Sequence, residues 1–422
     1  MHEHDPDRRT FLKRTGVATG ALALAGCLGD DGEDEDSEEN VDDLPGFPMV
    51  EDPPAAVYLP THRESMRMLE PIEAGDYTLA PMLSYPHPFW LVGGSGSEDE
   101  VERVVPEQSR GVHMMITLWD DETGIVLPVD SGAVIRVSLD GEQVGSPTSP
   151  WAMISQQMGF HFGDNVPLEG DGTYAVEVEL PPLPARTAGE LEGRFTDVET
   201  ATFEFDYDES FREAVTQGVE YLDEEEWGAL GALEPMTHGE NDGDDHGDGD
   251  GGHGDGGDEH DDHSDDGHGQ AAIPYSALPS ADAYPGTHLE PTDDSDTDLP
   301  RSGDAAFLVT LFESGSRLAD GDDRYLLVSP RTPYNRVPLA DMTMNVTVER
   351  DGETVAGADE TILEQTIDSE YDLHYGASLP DARPGDAVTI AIESPPQVAR
   401  HQGYETAFLE MPPLELTVPE RE

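Results

Sequence analysis

The sequence predicts an all-β protein with two tandem domains of the sandwich or barrel type, joined by a disordered linker. Short runs of alternating apolar and polar residues, separated by Gly, Pro and Asp, fill 48–207 and 271–422. An internal repeat relates the two regions. His-Phe-Gly at 161–163 and His-Tyr-Gly at 374–376 each precede an alternating strand that ends in Pro-Pro. Such a repeat indicates two diverged copies of one β domain.

The first 27 residues have the features of a Tat-type lipoprotein signal. Arg8 and Arg9 precede a short apolar run, and Leu-Ala-Gly precedes Cys27. The apolar run is shorter than the roughly 20 residues that a membrane-spanning helix needs. We therefore expect export by the Tat pathway and a lipid anchor through Cys27 on the outer face of the cytoplasmic membrane.

The charge of the chain indicates its environment and excludes some partners. An acidic spacer at 28–47 follows the signal, and the whole chain has 92 Asp and Glu against 21 Lys and Arg, a net charge of -71. Concentrated salt screens such self-repulsion, so we expect a halophilic extracellular protein. Nucleic acid is excluded as a partner because phosphate binding needs a basic face.

The cysteine content and the motifs of the sequence argue against several kinds of catalysis in the mature chain. Because Cys27 is the only cysteine, the mature chain has neither a disulfide nor a thiol nucleophile. The sequence also lacks a nucleophile elbow and a Gly-rich phosphate loop after a strand. We therefore do not expect an enzyme.

Three further segments follow the first β domain, which spans 48–207. A helical segment is predicted at 208–235, since apolar residues are spaced for one helix face at Phe211, Ala214, Val215, Val219 and Leu222. The linker at 236–270 is dominated by Gly, Asp and His, with nothing apolar to bury. The second β domain spans 271–422.

The linker carries six candidate metal ligands. Imidazoles interleaved with carboxylates chelate transition metals with loose geometry, but an acidic spacer with incidental histidines is an equally good interpretation. The residues concerned are His238, His246, His253, His260, His263 and His268.

The first domain offers a sharper set of ligands. His113 and Met115 lie two apart on a predicted strand, so their side chains share a face. Met153 and Met158 precede His161. Imidazole with thioether favours copper, whereas imidazole with carboxylate also suits iron, manganese or zinc.

These segments resemble the periplasmic high-affinity iron transport family. The similarity is carried by the Met153 region, by Gly-Phe-His-Phe-Gly-Asp-Asn at 159–165, and by Gly-Arg-Phe-Thr at 193–196. The resemblance implies an immunoglobulin-like β-sandwich and a copper or iron site. It assigns His113 and His161 to the two histidine places and Met153, with Met158 as its rival, to the methionine place. Met115 then stands where the family has glutamate, and Phe195 where it has histidine.

The second copy matches other parts of the same pattern. His374 takes the place of the motif histidine and His401 that of the histidine after arginine, but the strand at 324–328 has no histidine in the place of His113. His-Leu-Glu at 288–290 spells the family's His-x-Glu, upstream of the expected strand. Since the family forms dimers, the resemblance allows a dimer or an intramolecular pairing of the two domains.

These observations predict a lipid-anchored surface protein that binds a transition metal, copper or iron, and takes part in iron uptake or copper-assisted iron uptake. A membrane metal permease is the partner that this function requires. Two alternatives remain open at this point. One is a copper-binding chaperone with the same ligands, and the other is a structural or adhesive module without a metal.

Overall fold

The computed structural model describes residues 46–94, 101–106, 110–236, 273–292 and 299–420. Within these ranges the chain is nearly all strand, arranged in several sheets in two regions, which confirms the prediction of tandem β-sandwiches. The signal with Cys27, most of the spacer, and the six linker histidines lie outside the described residues. None of the described helices is both long and apolar enough to cross a membrane.

The first domain contains fifteen of the strands in the described part of the chain. They are β1 His62–Arg63, β2 Arg67–Met68, β3 Ile72–Ala74, β4 Tyr77–Ser84, β5 Phe89–Val92, β6 Val101–Val104, β7 Gly111–Asp120, β8 Val134–Leu139, β9 Glu142–Thr148, β10 Trp151–Ser155, β11 Gly159–Pro167, β12 Gly172–Leu180, β13 Arg186–Ala188, β14 Glu199–Tyr207 and β15 Glu220–Tyr221.

The core of the first domain lies between two sheets. One sheet has the order β14-β12-β8-β9, and the other contains β2-β4-β7-β11-β10. Strand β12 alternates buried and more exposed residues, as expected when one face is solvated. Strand β7 is buried along its whole length: Val112, Met114 and Ile116 pack into the core, so His113 and Met115 project from the opposite face. That outer face is covered by other segments of the chain.

The second domain repeats this arrangement. Its strands are β16 Thr287–His288, β17 Glu290–Pro291, β18 Arg301–Ser302, β19 Ala305–Leu311, β20 Arg324–Arg331, β21 Thr343–Arg350, β22 Glu353–Thr354, β23 Thr361–Ile362, β24 Glu364–Asp368, β25 Asp372–Leu379, β26 Ala387–Ser394, β27 Ala399–Arg400 and β28 Leu414–Thr417. One sheet has the order β17-β28-β26-β21-β22, and the other contains β24-β25-β20-β19-β16.

Each domain adds a short parallel strand to the sheet of the other. Strand β27 of the second domain pairs with β10 of the first, and β13 of the first domain pairs with β24 of the second. Strand β27 also pairs with β5, which extends the sheet of the first domain to β6. The two exchanges are equivalent in position. They give the two copies a pseudo-twofold relationship within one chain.

The helical segment is shorter than the sequence predicts. Helix α1 spans Glu209–Gln217, capped by the Asp208 carboxylate, which accepts a hydrogen bond from the Phe211 amide. Only Phe211 and Val215 are buried among its residues. The chain then forms β15, which pairs with β1. The predicted extent of 208–235 is therefore corrected: the apolar residues beyond Gly218 belong to irregular chain that crosses the first domain.

Candidate metal centre

Three of the predicted ligands meet on the outer face of the first domain's larger sheet. In the antiparallel register Met153 on β10 lies opposite His161 on β11, and Asn165 on β11 lies opposite His113 on β7. Because alternate residues share a face, His161, Gly163 and Asn165 all point to this side. His113 and His161 are fully buried, and so is Met153.

Gly163 lies between the ligands and leaves room for them. A Cβ atom at this position would stand 2.9 Å from the Met153 sulfur and 3.1 Å from Nε2 of His113. Both distances are shorter than ordinary van der Waals contact. The absence of a side chain therefore allows the thioether and the imidazole to converge over the strand.

His401 joins this centre from the second domain. The parallel pairing of β27 with β10 places it there, and its backbone amide donates to the carbonyl of Ile154. Nε2 of His401 lies 3.2 Å from Nε2 of His161. The prediction from sequence placed His401 with His374 in the second copy. The structure instead brings it to the histidines of the first.

Arg400 fixes the loop that carries His401. Its fully buried guanidinium donates to the backbone carbonyls of Pro396, Tyr404 and Ala407, on both sides of the histidine. Burial lowers the pKa of Arg400 to about 9, partly offset by Glu405. The arginine thus holds the loop closed around His401, so that the imidazole is presented in one position.

Two further residues at the centre were missed from the sequence, His87 and Glu64. The ligand nitrogens of His87, His113 and His401 all lie within 4.8 Å of one another. A carboxylate oxygen of Glu64 lies 3.1 Å from Nδ1 of His401 and 3.5 Å from Nε2 of His87. Both residues stand on irregular connections, where strand periodicity gives no signal. The available signal was His-Arg-Glu at 62–64, which spells His-x-Glu.

All four imidazoles are held by their Nδ1 atoms. The acceptors are the carbonyl of Tyr85 for His87, Oδ1 of Asn165 for His113, the carbonyl of Gly159 for His161, and the Glu64 carboxylate for His401. In a neutral ring an Nδ1–H donor leaves the lone pair on Nε2, and Nε2 of His161 and Nε2 of His401 lie within hydrogen-bond distance of each other. Among the described residues, Nε2 of His87 and of His113 has no hydrogen-bond partner. Outer hydrogen bonds of this kind orient the ligands of metal sites.

Burial favours the neutral form of His87, His113 and His161. It lowers the pKa of His87 to about 4 and that of His161 to about 3, and the nearby His401 adds to both effects. The pKa of His113 is also lowered well below its usual value by burial, followed by the neighbouring His87 and His401. Neutral imidazole is the form that coordinates metal ions.

Glu64 remains ionised next to these rings. Burial acts to raise its pKa, but the adjacent His87 and His401, with the hydrogen bond from His401, outweigh burial and hold the pKa well below the usual value. The centre therefore combines imidazole nitrogens, one thioether and one carboxylate. Such a mixed set suits borderline transition metals, including copper and iron.

The remaining predicted methionines lie beside the centre. Met115 and Met158 pack together with Met82 in a separate apolar cluster. Met158 also lines a small pocket, about 30 Å³ in volume, that reaches Glu64 and His401. Met153, by contrast, packs against Phe89 and Ala399 directly at the imidazoles. Of the two rivals for the methionine place, Met153 is the one that faces His113.

His374 lies in a different environment from its counterpart His161. It is fully buried, and its Nε2 lies 3.3 Å from the Tyr325 hydroxyl. The strand registers show why no equivalent centre surrounds it. Tyr325 holds the position of His113, Thr366 that of Met153, and Ala188 that of His401. Among the described positions of the second domain that correspond to these ligands, only that of His374 carries an imidazole.

The strand pairing shows that one part of the alignment between the two copies was wrong. The sequence aligned Arg194 and Phe195 with the Arg400 region, whereas the paired strands make Ala188 the counterpart of His401. Arg194 instead forms ion pairs with Asp120 and its neighbours, and Phe195 packs on Tyr77 in the core. The paired strands put the counterparts at nearly the same distance after Pro-Pro, with Ala188 six residues after Pro182 and His401 five residues after Pro396, whereas Arg194 lies twelve residues after Pro182.

Substituting Gly163 by alanine is expected to weaken metal binding by about tenfold or more, because the new methyl group would displace Met153 or His113. Calorimetric titration of copper into the purified protein checks this. Gly170→Ala is the matched control, since a Cβ there would meet nothing within 4 Å. Equal losses in both variants would contradict the role assigned to Gly163.

The metal-free chain is expected to become more stable as pH rises from about 4 to about 6.5. In that window unfolded histidines bind protons that folded His87 and His161 do not, so stability increases with pH, by up to about 1.4 kcal/mol per pH unit for each group. Thermal unfolding midpoints in concentrated salt measure the trend. His87→Gln is expected to give a shallower dependence, and an identical slope would refute the assignment.

Comparisons with known proteins found one family model that matches part of the chain and solved structures that resemble it. A family described as "Domain of unknown function (DUF7350)" matches residues 282–417. A copper-bound variant of FetP from uropathogenic Escherichia coli is 19% identical and covers 33% of this chain and 97% of that chain, with a TM-score of 0.25. FetP as isolated from the same bacterium is 18% identical and covers 33% of this chain and 96% of its own, with a TM-score of 0.24. No curated protein matches the chain.

Proposed function

We propose that the chain binds one transition-metal ion, copper or iron, at the imidazole centre and takes part in iron uptake outside the cytoplasmic membrane. One observation carries this proposal. Four buried imidazoles from two domains are each held through Nδ1; ligand nitrogens of His87, His113 and His401 lie within 4.8 Å of one another, and Nε2 of His161 lies 3.2 Å from Nε2 of His401. Without a bound cation the buried Nε2 atoms of His87 and His113 have no hydrogen-bond partner among the described residues, which is costly.

A copper carrier is the second candidate. The thioether of Met153 at the centre favours it, since sulfur ligands select Cu⁺. The Glu64 carboxylate favours the first candidate, because a hard oxygen ligand suits iron and manganese. A purely adhesive module would need neither. The identity of the metal therefore decides between the candidates.

The test is a set of titrations with Cu⁺, Cu²⁺, Fe²⁺ and Mn²⁺ on the full chain in concentrated salt. The wild type is expected to bind about one ion tightly, and His161→Ala is expected to lose at least about a hundredfold in affinity. His288→Ala is the control, because that exposed histidine bonds only the Tyr284 carbonyl among its described contacts. Equal affinity in the wild type and His161→Ala would reject the centre.

Export and anchoring belong to the same proposal. The twin arginines and the small-residue site before Cys27 support a lipid anchor that holds the domains outside the membrane. A partner permease would then receive the metal. Substituting Cys27 by serine should move the protein from the membrane fraction to the medium, and retention in the membrane fraction would count against the anchor.

A further inference from the structure

A large cavity opens beside the metal centre and is not explained by metal binding. Its volume is about 470 Å³, within the range of small-molecule sites. Seven of its fifteen lining residues are Phe, Tyr, Trp or Pro. These residues are Phe47, Pro48, Tyr85, Pro86, Pro88, Trp90 and Pro106.

The inner end of the cavity reaches the imidazole centre. His62, Glu64 and His87 line it there, and His87 is the residue whose buried Nε2 has no hydrogen-bond partner in the described chain. Phe47 stacks on His62 with ring centroids 5.0 Å apart and lies 4.2 Å from the Tyr85 ring. The ring of a ligand would therefore meet flat aromatic surfaces on its way to His87.

Arg103 gives the cavity a positive charge. Its guanidinium lies 5.9 Å from the Trp90 ring and donates to the Met49 sulfur, and no carboxylate of the described residues pairs with it. Many of the other described arginines form ion pairs with carboxylates, namely Arg136, Arg186, Arg194, Arg212, Arg317, Arg324, Arg350 and Arg383.

The two charges that line the cavity orient a ligand. The Glu64 carboxylate at the inner end repels an anionic group, whereas Arg103 attracts one by a charge-assisted hydrogen bond. The repulsion from the net charge of -71 is short-ranged in concentrated salt, so the local arginine dominates. The ligand that fits is planar and apolar over most of its length, with one negative group.

We propose that this cavity binds a small aromatic carboxylate, whose carboxyl group pairs with Arg103 and whose ring packs against the aromatic wall formed by Phe47, Tyr85 and Trp90. Bound there, the molecule covers the side of the metal centre formed by His87 and Glu64. This second statement rests on the proposed function, whereas the binding itself does not require a metal.

Salicylate is the probe for the binding step. Titrated into the metal-free full chain in concentrated salt, it is expected to bind with a Kd below about 1 mM. Arg103→Gln is expected to weaken binding at least about tenfold, and so is replacing salicylate by neutral salicylamide. Arg136→Gln, on a partly exposed arginine paired with Glu177 and Glu179, is the control and should change nothing. Calorimetry measures all four.

Two outcomes would overturn the inference. One is no binding of salicylate up to about 10 mM, and the other is binding that Arg103→Gln leaves unchanged. His161→Ala separates this inference from the proposed function, since it should lose metal but keep its affinity for salicylate. A metal-loaded wild type with the same salicylate affinity as the metal-free chain would reject the covering of the metal centre.

Discussion

Replacing His401 with alanine is expected to weaken metal binding at the first domain by at least about a hundredfold. The residue lies 240 positions from His161 in the chain, yet their Nε2 atoms are 3.2 Å apart. Its loss would remove one nitrogen donor and the hydrogen bond that orients the ring toward Glu64. Competition against a chromophoric copper chelator in concentrated salt measures the affinity.

The control for this experiment is His374→Gln in the second domain. His374 contacts Tyr325 rather than the imidazole centre, so the variant should keep the wild-type affinity. If His374→Gln lost metal as strongly as His401→Ala, the assignment of His401 to the centre of the first domain would be wrong. Circular dichroism of both variants establishes that each is folded.

The wild-type chain is expected to bind about one metal ion, and a chain with Ala188→His, Tyr325→His and Thr366→Met is expected to bind about two. These three positions correspond to His401, His113 and Met153, and the fourth member, His374, is already present. Replacing Tyr325 also removes the hydroxyl that now faces His374. Elemental analysis after dialysis gives the ratio.

The rebuilt site should bind more weakly than the natural one. Neither Glu64 nor His87 has a matching carboxylate or imidazole in the second copy. The same registers place Tyr284 at the position of Glu64 and the chain near Gly315 at the position of His87. Combining the three substitutions with His401→Ala isolates the new site. A ratio that stays near one in the triple variant, with the fold intact, would contradict the equivalence of the two copies.

The fold and part of the centre could be predicted from the sequence because both follow from local patterns. Alternation along strands indicated the sandwiches. The resemblance grouped His113, Met153 and His161 as ligands, and the structure brings these three to one sheet face. The predicted length of the helix was too great, because the apolar residues after Gly218 have the spacing of a helix face but do not form a helix. Tertiary packing, not periodicity, decides such a segment.

The other members of the centre depend on long-range packing. His401 arrives through the pairing of β27 with β10, and nothing in its own neighbourhood indicates that partner. His87 lies between two prolines, and Glu64 follows a strand of two residues, so neither has a periodic context. The alignment of Arg194 with Arg400 was wrong because it matched a single arginine, whereas the connection after Pro-Pro differs by only one residue between the copies.

Anomalous diffraction at the copper edge, from crystals of the copper-loaded chain, tests the central claim most directly. We expect one strong peak per chain, within coordination distance of imidazole nitrogens from both His113 and His401, and no comparable peak beside His374. A peak bound only by residues of a single domain, or a strongest peak at the linker histidines, would contradict a metal centre shared between the two copies.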